Sequence, residues 1–266
     1  MLAKRFMGWP GSPLPLDLGQ LCRQIPEKIT EIFDRPVARH DRAAVPMGVK
    51  EASGNLPQRD GHRVRVIPDG DRPMHWTNMR TIHLADGGIL LYEDAFLPPD
   101  LADRYFTQVR DECAWEQKPG VFGHMQPRLI ATYGEPGLIY RYSGRDNVAL
   151  PWTPTLLEIK QKIEAVQGEY NYCLLNRYRS GQDSMGMHSD DEPEMGDVIG
   201  SLSLGATRTF RIRHNKSKET MKFQVGNGTL IVMAGTMQQF WKHEVPKTKE
   251  PVGERINLTF RLITRK

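Results

Sequence analysis

The stretch Arg255-Ile-Asn-Leu-Thr-Phe-Arg261 alternates strictly between polar and apolar residues. In an extended backbone, this alternation puts Ile256, Leu258 and Phe260 on one face, so we predict a strand whose apolar side belongs to the core. The two arginines, the amide and the hydroxyl of the other face are expensive to bury without an anionic partner. A dicarboxylate would offer both arginines a bidentate partner. A solvent-facing edge strand, whose polar side needs no ligand, is the alternative that this segment leaves open.

The remaining pattern predicts an α+β protein that is mainly β. Two segments have the apolar spacing of a helix. The first follows a Pro-Pro-Asp start, and its apolar residues are Leu101, Tyr105, Val109 and Cys113. The second begins at the cap Thr153-Pro154, and its apolar residues are Leu156, Ile159, Ile163 and Val166. Strand-like runs are Gly88–Tyr92, Tyr172–Tyr178, Gly200–Leu204, Thr209–Arg213, Met221–Val225, Gly228–Met233 and Arg255–Ile263. Short strands separated by Gly, Asn and Pro favour an antiparallel sandwich or barrel of jelly-roll type, with two supporting helices on one sheet.

Composition divides the chain into two parts. Residues 1–85 are rich in Pro, Gly and Arg and lack sustained periodicity, which predicts an irregular, disorder-prone N-terminal arm. Residues 86–266 carry the periodic segments and form the predicted folded domain. No run approaches the roughly 18–20 apolar residues of a membrane span, so we expect no membrane partner. The three cysteines form no CxxC pair, which favours a reducing compartment such as the cytosol or nucleus.

Charge is distributed unevenly along the chain. Residues 208–266 carry 13 Lys or Arg against 4 Asp or Glu, whereas residues 183–197 carry six acidic residues and no basic one. The basic block is consistent with a solvated face and equally with a surface for a polyanionic substrate. Charge alone does not choose between these two interpretations.

A candidate metal site combines the triplet His188-Ser-Asp190 with His243. In extended backbone, residues i and i+2 leave the same face, so the imidazole and the carboxylate can converge on one ion. Two histidines and one carboxylate make the facial triad of non-haem iron(II) oxygenases, which leaves open positions for co-substrate and oxygen. The same ligands suit zinc hydrolases, so the ligand set alone does not choose the metal. Asn176 and Tyr178, another i, i+2 pair, add hydrogen-bond donors to the same pocket.

Taken together, these motifs resemble the AlkB family of nucleic-acid dealkylating dioxygenases over about residues 88 to 264. The matching motifs are Asn176-Arg-Tyr178, His188-Ser-Asp190-Asp-Glu192, His243 and Arg255-Ile-Asn-Leu-Thr-Phe-Arg261. Two further segments resemble the branch of the human second and third AlkB homologues, which acts on alkylated DNA: Pro127-Arg-Leu-Ile-Ala-Thr-Tyr133-Gly and Ser201-Leu-Ser-Leu-Gly-Ala-Thr-Arg208. The resemblance implies a double-stranded β-helix (jelly roll) and makes residues 86–266 the dioxygenase domain.

The resemblance also implies the cofactors and their ligands. Iron(II) would be held by His188, Asp190 and His243, and 2-oxoglutarate would be bound by Asn176, Tyr178, Arg255, Asn257, Thr259 and Arg261. Which arginine holds which carboxylate is left open. With O2 as co-substrate, and ascorbate as the reductant in vitro, the enzyme would hydroxylate an N-alkyl group, and formaldehyde would leave the repaired base. The expected substrates are DNA bases such as 1-methyladenine and 3-methylcytosine.

A pocket for a flipped base is implied as well, because the alkylated atom lies on the Watson–Crick edge. The implied substrate contacts are Phe122, Gly123, Arg128, Tyr140, Tyr142, Asp191 and Glu192. Val121-Phe122-Gly123 resembles a hydrophobic finger that wedges into the base stack, and Arg128 is expected to contact a phosphate or the base pocket. Tyr142 stands where duplex-specialised members have Phe, which leaves the preference for single or double strands open.

Several alternatives remain at this stage. The same cofactor chemistry would serve an RNA demethylase or a protein hydroxylase, and a decayed site would leave a non-catalytic nucleic-acid binder. The binder is disfavoured because every metal and co-substrate position is filled. We expect alkylated DNA as the partner, with RNA as the alternative, and a monomer. The expected location is the nucleus of a eukaryote or the cytoplasm of a prokaryote.

Overall fold

The computed structural model describes residues 79–120, 123–142 and 145–264. The strands of this part are β1 (Arg80–His83), β2 (Gly88–Glu93), β3 (Leu129–Gly134), β4 (Ile139–Tyr142), β5 (Arg145–Val148), β6 (Leu150–Pro151), β7 (Tyr172–Tyr178), β8 (Met185–His188), β9 (Ile199–Gly205), β10 (Arg208–His214), β11 (Thr220–Val225), β12 (Thr229–Gly235), β13 (Trp241–Val245) and β14 (Arg255–Arg261). The helices are α1 (Pro99–Glu112), α2 (Pro154–Glu164) and the short α3 (Met237–Phe240). Among the described residues, no helix combines the length and the apolar character that a membrane crossing requires.

The two long helices begin where the sequence supplies start signals. α1 starts at Pro99 and has Asp100 in its first turn. Proline fits there because the amide hydrogen that it lacks would have no helical partner. α2 follows Thr153, whose side-chain oxygen accepts a hydrogen bond from the Leu156 amide at 3.2 Å. The predicted apolar stripes are buried at Tyr105 and Val109 of α1 and at Leu156, Ile159 and Ile163 of α2, which confirms the two supporting helices. Leu101 is only partly buried, and Cys113 and Val166 lie just past the helix ends.

Two sheets form the body of the described domain. The larger sheet has the strand order β1-β2-β12-β9-β14-β7-β3-β6, and the smaller one has the order β11-β10-β13-β8. All neighbours pair antiparallel except β3 and β6. β4 and β5 form a separate hairpin. The arrangement is the predicted jelly roll, mainly β, with helices packed on the larger sheet.

Strand β14 lies inside the larger sheet, between β9 and β7. Its apolar residues Ile256, Leu258 and Phe260 pack in one buried cluster with residues of α1 and α2 such as Tyr105 and Ile159. Every residue of β14 is buried. The edge-strand alternative is therefore wrong, and the polar face of β14 is an interior face.

A second apolar cluster fills the space between the two sheets. Ile231 and Met233 contribute from the larger sheet, and Phe210, Ile212 and Trp241 contribute from the smaller one. The polar face of β14 opens on the same side, because its side chains line a cavity together with residues of the smaller sheet. The fold thus uses one face of β14 for the core and the other for a polar cavity.

The predicted boundaries agree with the structure to within one or two residues for most strands. The prediction for 172–178 coincides with β7, whereas the prediction for 255–263 extends past the end of β14 at Arg261. The sequence pattern does not predict strands β1, β3, β4, β5, β6, β8 and β13 or helix α3. Most of the predicted arm, residues 1–85, lies outside the described residues. Its last part contains β1, which pairs with β2, so regular structure begins before residue 86.

Replacing Phe260 with alanine tests the assignment of β14 to the core. The ring is fully buried, and its centroid lies 6.2 Å from that of Trp152 and 6.0 Å from that of Tyr170. We expect the free energy of unfolding, measured by urea denaturation, to fall by about 3–5 kcal/mol. Val148→Ala is the control, since Val148 is 62% exposed, and should change it by less than about 0.5 kcal/mol. Equally small effects of both substitutions would contradict the assignment.

Candidate active site

The three predicted metal ligands converge between the sheets. His188 ends β8, Asp190 follows it, and His243 lies in β13, where it is the cross-strand partner of His188. One ligand atom from each residue can be chosen such that all three lie within 4.8 Å of one another. Nε2 of His188 is 3.8 Å from Oδ1 of Asp190, and Nε2 of His243 is 4.0 Å from Oδ2. This spacing suits a single ion held by two imidazoles and one carboxylate.

Neighbouring groups fix the orientation of these ligands. Nδ1 of His188 lies 2.8 Å from the carbonyl oxygen of Gly186, so it carries the proton and donates, and Nε2 keeps its lone pair for a metal. The backbone amide of Asp190 donates to Oε1 of Gln238 at 3.0 Å. The ring of Phe210 packs against His243 at 5.4 Å between centroids. The site is therefore preorganised by contacts outside the three ligands.

Electrostatics hold Asp190 and His243 in the protonation states that bind metals. Burial raises the pKa of Asp190, but the Arg261 guanidinium and the two imidazoles outweigh it and lower that pKa to about 2. Burial and the nearby His188 lower the pKa of His243 to about 3, against a smaller opposing effect of Asp190. A carboxylate and a neutral imidazole are the forms that ligate a metal.

Two arginines of β14 are buried, and one of them, Arg261, contacts the triad. Arg261 is 2% exposed, and its Nη2 donates to Oδ2 of Asp190 at 2.8 Å. Arg255 is 1% exposed and donates from Nε to Oγ of Ser203 at 2.8 Å and from Nη2 to Oδ1 of Asn257 at 2.5 Å. Nη1 of Arg255 has no hydrogen-bond partner among the described residues. Burial lowers the pKa of Arg255 to about 10, so this guanidinium stays charged at neutral pH.

Two buried guanidiniums pack against the ring of Tyr178. Arg255 and Arg208 approach its ring, with their Cζ atoms 5.3 Å and 5.6 Å from the ring centroid. Arg208 also donates to three backbone carbonyls, those of Ser180, Asp183 and Pro246, at 3.0, 2.9 and 2.7 Å. Ser180 and Asp183 precede β8, and Pro246 follows β13. Arg208 therefore ties together the loops next to the two strands that carry the histidines.

The cavity beside the triad has the chemistry that an iron and a dicarboxylate require. It is lined by Asn176, Tyr178, Met185, His188, Asp190, Ser201, Phe210, Met233, His243, Glu244, Val245, Asn257, Thr259 and Arg261. Two imidazoles and a carboxylate at one end could hold iron(II). Arg261 lines the cavity and supplies buried positive charge for an anionic ligand. Arg255 does not line it, but donates to the lining residue Asn257 and keeps one nitrogen without a partner among the described residues. The residues present thus fit both groups.

The residues predicted to contact substrate are less completely described. Asp191 is exposed, Glu192 is partly buried, and Gly123 is exposed with a φ of +80° that favours glycine. Phe122 lies outside the described residues. Tyr140 and Tyr142 lie in β4, opposite Asn147 and Arg145 of β5. The contacts expected of these residues stay predictions.

The location of Arg128 differs from that expected of a residue that contacts phosphate. It is only 5% exposed and donates from Nε to Oδ1 of Asn176 at 2.7 Å. A side chain that reaches the phosphate backbone of a polynucleotide would be solvent-accessible, so burial argues against the phosphate contact and leaves the base-pocket contact as a prediction.

Comparisons with known proteins agree with this geometry. A family model described as "2OG-Fe(II) oxygenase superfamily" matches residues 88–261. The chain is 40% identical over 235 residues to "DNA oxidative demethylase ALKBH2" of Bos taurus. This alignment covers 82% of this chain and 83% of that protein. The chain belongs to the AlkB family of 2OG-Fe(II) oxygenases. It is 39% identical over 178 residues to the human "Alpha-ketoglutarate-dependent dioxygenase alkB homolog 3", which spans 61% of this chain and 62% of that protein.

A solved structure described as "The structure of OsALKBH1" shares 18% sequence identity with this AlkB-family chain. The alignment covers 68% of this chain and 99% of that one, with a TM-score of 0.49.

Family membership decides between the metal chemistries that the ligands left open. AlkB-family enzymes are iron(II)- and 2-oxoglutarate-dependent dioxygenases, so the predicted cofactors iron(II), 2-oxoglutarate and O2 are confirmed. The zinc-hydrolase alternative is wrong. The predicted relationship to the second and third AlkB homologues is also confirmed.

Sequence reasoning missed three residues that support the site. Ser203 bonds Arg255, and it alternates with Ser201 on β9, so a polar i, i+2 pair on an apolar strand could have identified it. Gln238 and Arg208 bond groups far away in sequence. Their roles depend on tertiary contacts, and no local pattern around them indicates those contacts.

The low pKa of His243 predicts a pH dependence of the chelator-treated, metal-free protein. The folded imidazole stays neutral down to about pH 3, whereas that of the unfolded chain takes up a proton near pH 6.5. Stability is therefore lost as the pH falls below about 6.5, by up to about 1.4 kcal/mol per pH unit from this group. Urea unfolding between pH 7 and pH 5 should give a smaller slope for His243→Gln than for the unchanged protein.

The control for this experiment is His124→Gln, because His124 is exposed. His124→Gln should have the same change of the free energy of unfolding with pH as the unchanged protein. Equal slopes for His243→Gln and His124→Gln would show that His243 is not held neutral by its surroundings.

Proposed function

We propose that this chain is a DNA oxidative demethylase that removes N-alkyl groups from bases such as 1-methyladenine and 3-methylcytosine and releases formaldehyde. The observation that carries this proposal is the 40% identity, over 83% of its length, to a relative named DNA oxidative demethylase. The triad and the buried arginines described above support it, because they supply the groups that the chemistry needs. We assign this activity to residues 86–266.

The chain's own residues bind and orient the reactants. We assign His188, Asp190 and His243 to iron(II), and Asn176, Tyr178, Arg255, Asn257, Thr259 and Arg261 to 2-oxoglutarate. Iron(II) with 2-oxoglutarate and O2 supplies the oxidising chemistry that hydroxylates the N-alkyl carbon, after which formaldehyde leaves the base. The burial of the arginine face of β14 would exclude water from a bound co-substrate. The protein supplies binding, orientation and electrostatics, and needs no acid or base for the C–H step.

Substrate recognition is assigned to residues around the cavity. The target base must leave its stack to reach the iron, and Tyr140 and Tyr142 would hold it there. Gly123 would let the chain turn beside the finger residue Phe122. Asp191 and Glu192, which directly follow the ligand Asp190, would contact the nucleotide. We further propose that the protein acts as a monomer, in the nucleus if its source is a eukaryote.

The exposed face of the smaller sheet supports a polyanionic substrate. Arg211 lies directly opposite Lys222 in the β10–β11 pair, and Arg213 lies opposite Lys242 in the β10–β13 pair. Like charges opposite each other destabilise a sheet unless an anion lies against them. Glu244 forms an ion pair with Arg211, which leaves this basic face with an excess of positive charge for phosphates.

A substrate panel tests the proposal. The iron-loaded protein, with 2-oxoglutarate and ascorbate, is incubated in air with methylated DNA, methylated RNA and peptides, and formaldehyde and succinate are measured. We expect release of formaldehyde from DNA carrying 1-methyladenine or 3-methylcytosine. His188→Ala should abolish turnover and leave oligonucleotide binding nearly unchanged, because it removes a metal ligand without altering the basic face. Turnover on RNA or peptides with none on DNA would refute the proposal.

Salt dependence tests the basic face. Lys222→Gln together with Lys242→Gln removes two positive charges that would each neutralise a phosphate. The plot of log binding constant against log salt should then lose roughly 1.4 units of slope for a single-stranded oligonucleotide. The matched control is Lys160→Gln with Lys162→Gln on α2, which packs on the larger sheet, and its slope should not change. Equal slopes for the two double variants would exclude this face from DNA binding.

A further inference from the structure

Arg128 is a buried arginine whose side chain donates to groups inside the protein. It lies just before β3, is 5% exposed, and donates from Nε to Oδ1 of Asn176 at 2.7 Å. Its Nη1 lies 3.4 Å from the carbonyl oxygen of Ser184, at the start of the segment that leads to His188. Arg128 thus touches one residue of the cavity wall and the approach to one metal ligand.

The contact with Asn176 determines which way the amide faces. A guanidinium has only donors, whereas an asparagine side chain has one oxygen acceptor and one nitrogen donor. Oδ1 must therefore face Arg128, since Nδ2 in that position would place two donors against each other. Asn176 lines the cavity and lies opposite Asn257 of β14 in the β7–β14 pair. With its oxygen held by Arg128, the amide has its N–H donors left for an acceptor in the cavity.

We propose that Arg128 is a positioning residue that locks the Asn176 amide so that its nitrogen donates to 2-oxoglutarate. The inference rests on the assignment of Asn176 to the co-substrate made above. In the absence of the guanidinium, the amide can rotate by half a turn and present its oxygen to the ligand. Oxygen facing a carboxylate or keto oxygen gives repulsion where the N–H gives a hydrogen bond.

The backbone around Arg128 is held independently of its side chain. The Ser184 amide donates to the carbonyl oxygen of Pro127 at 2.9 Å, and the following strand β3 pairs with β7 from Leu129 onward. Loss of the guanidinium therefore leaves the chain trace of this segment with its own hydrogen bonds. A substitution at Arg128 acts on the Asn176 amide rather than on the course of the strand.

The test measures 2-oxoglutarate binding instead of turnover. The iron(II)-loaded full chain is titrated with 2-oxoglutarate without oxygen, and the dissociation constant is read from the visible absorption of the complex. Arg128→Met should raise this constant by about tenfold, the factor for one lost hydrogen bond. Arg128→Lys keeps one donor toward Oδ1, so its dissociation constant should lie between those of the unchanged protein and Arg128→Met. Oligonucleotide affinity is measured alongside, because Arg128 is also a predicted base-pocket contact.

A double-mutant cycle with Asn176→Ala separates positioning from a direct contact. If Arg128 acts through Asn176, Arg128→Met has no further effect on the 2-oxoglutarate dissociation constant in the Asn176→Ala protein. The matched control is Arg177→Met, since Arg177 lies next to Asn176 on β7 but pairs with Glu254 at 2.9 Å. It should leave the dissociation constant unchanged and so report any general loss of the sheet.

Three outcomes would overturn the inference. One is an equal effect of Arg128→Met with and without the Asn176 side chain. Another is an equal effect of Arg177→Met. The third is weakened oligonucleotide binding with an unchanged 2-oxoglutarate constant, which would make Arg128 a substrate contact. Failure of the unchanged protein to demethylate DNA would refute the proposed function, whereas each of these three outcomes leaves that function standing.

Discussion

The buried ion pair between Arg261 and Asp190 is the interaction on which the active site depends. Two guanidiniums on the inner face of β14 carry positive charge into a region with little water, and burying such charge is costly unless it is balanced. Asp190 balances Arg261 and is itself kept ionised by it, so one carboxylate serves both the strand and the metal site. Arg255 donates to Ser203 and Asn257, and one of its nitrogens has no partner among the described residues.

Because polar and apolar residues alternate along β14, the packing of its core face fixes the position of its polar face. Ile256, Leu258 and Phe260 are held by the helices, and this packing sets the depth at which the intervening arginines lie. A shift of the strand by one residue would exchange the two faces, burying apolar side chains in the cavity and driving charge into the helices. The pairing with β7 on one side and β9 on the other prevents such a shift.

The sequence predicts this protein best where function and periodicity fall on the same residues. The alternation of 255–261 predicts both a strand and an anion site, and the His188-Ser-Asp190 triplet predicts two ligands on one side of the chain. The sequence does not predict the roles of residues that depend on contacts with residues far away in the chain. Arg128 has the charge of a phosphate contact but a buried location that no local pattern indicates. Gln238 supports Asp190 from a four-residue helix too short to leave a periodic signal.

The pairing of the metal ligands across β8 and β13 has a consequence for the lifetime of the protein. β8 is a four-residue strand at the edge of the smaller sheet, and its register with β13 consists of two residue pairs separated by an irregularity. An ion shared by His188 and His243 would bind only when this border strand is docked, and by mass action it would favour the docked state. Iron supply would then govern how often this strand detaches and exposes its backbone to proteases. In a cell short of iron, molecules of the enzyme would then be degraded, in addition to the loss of activity in those that remain.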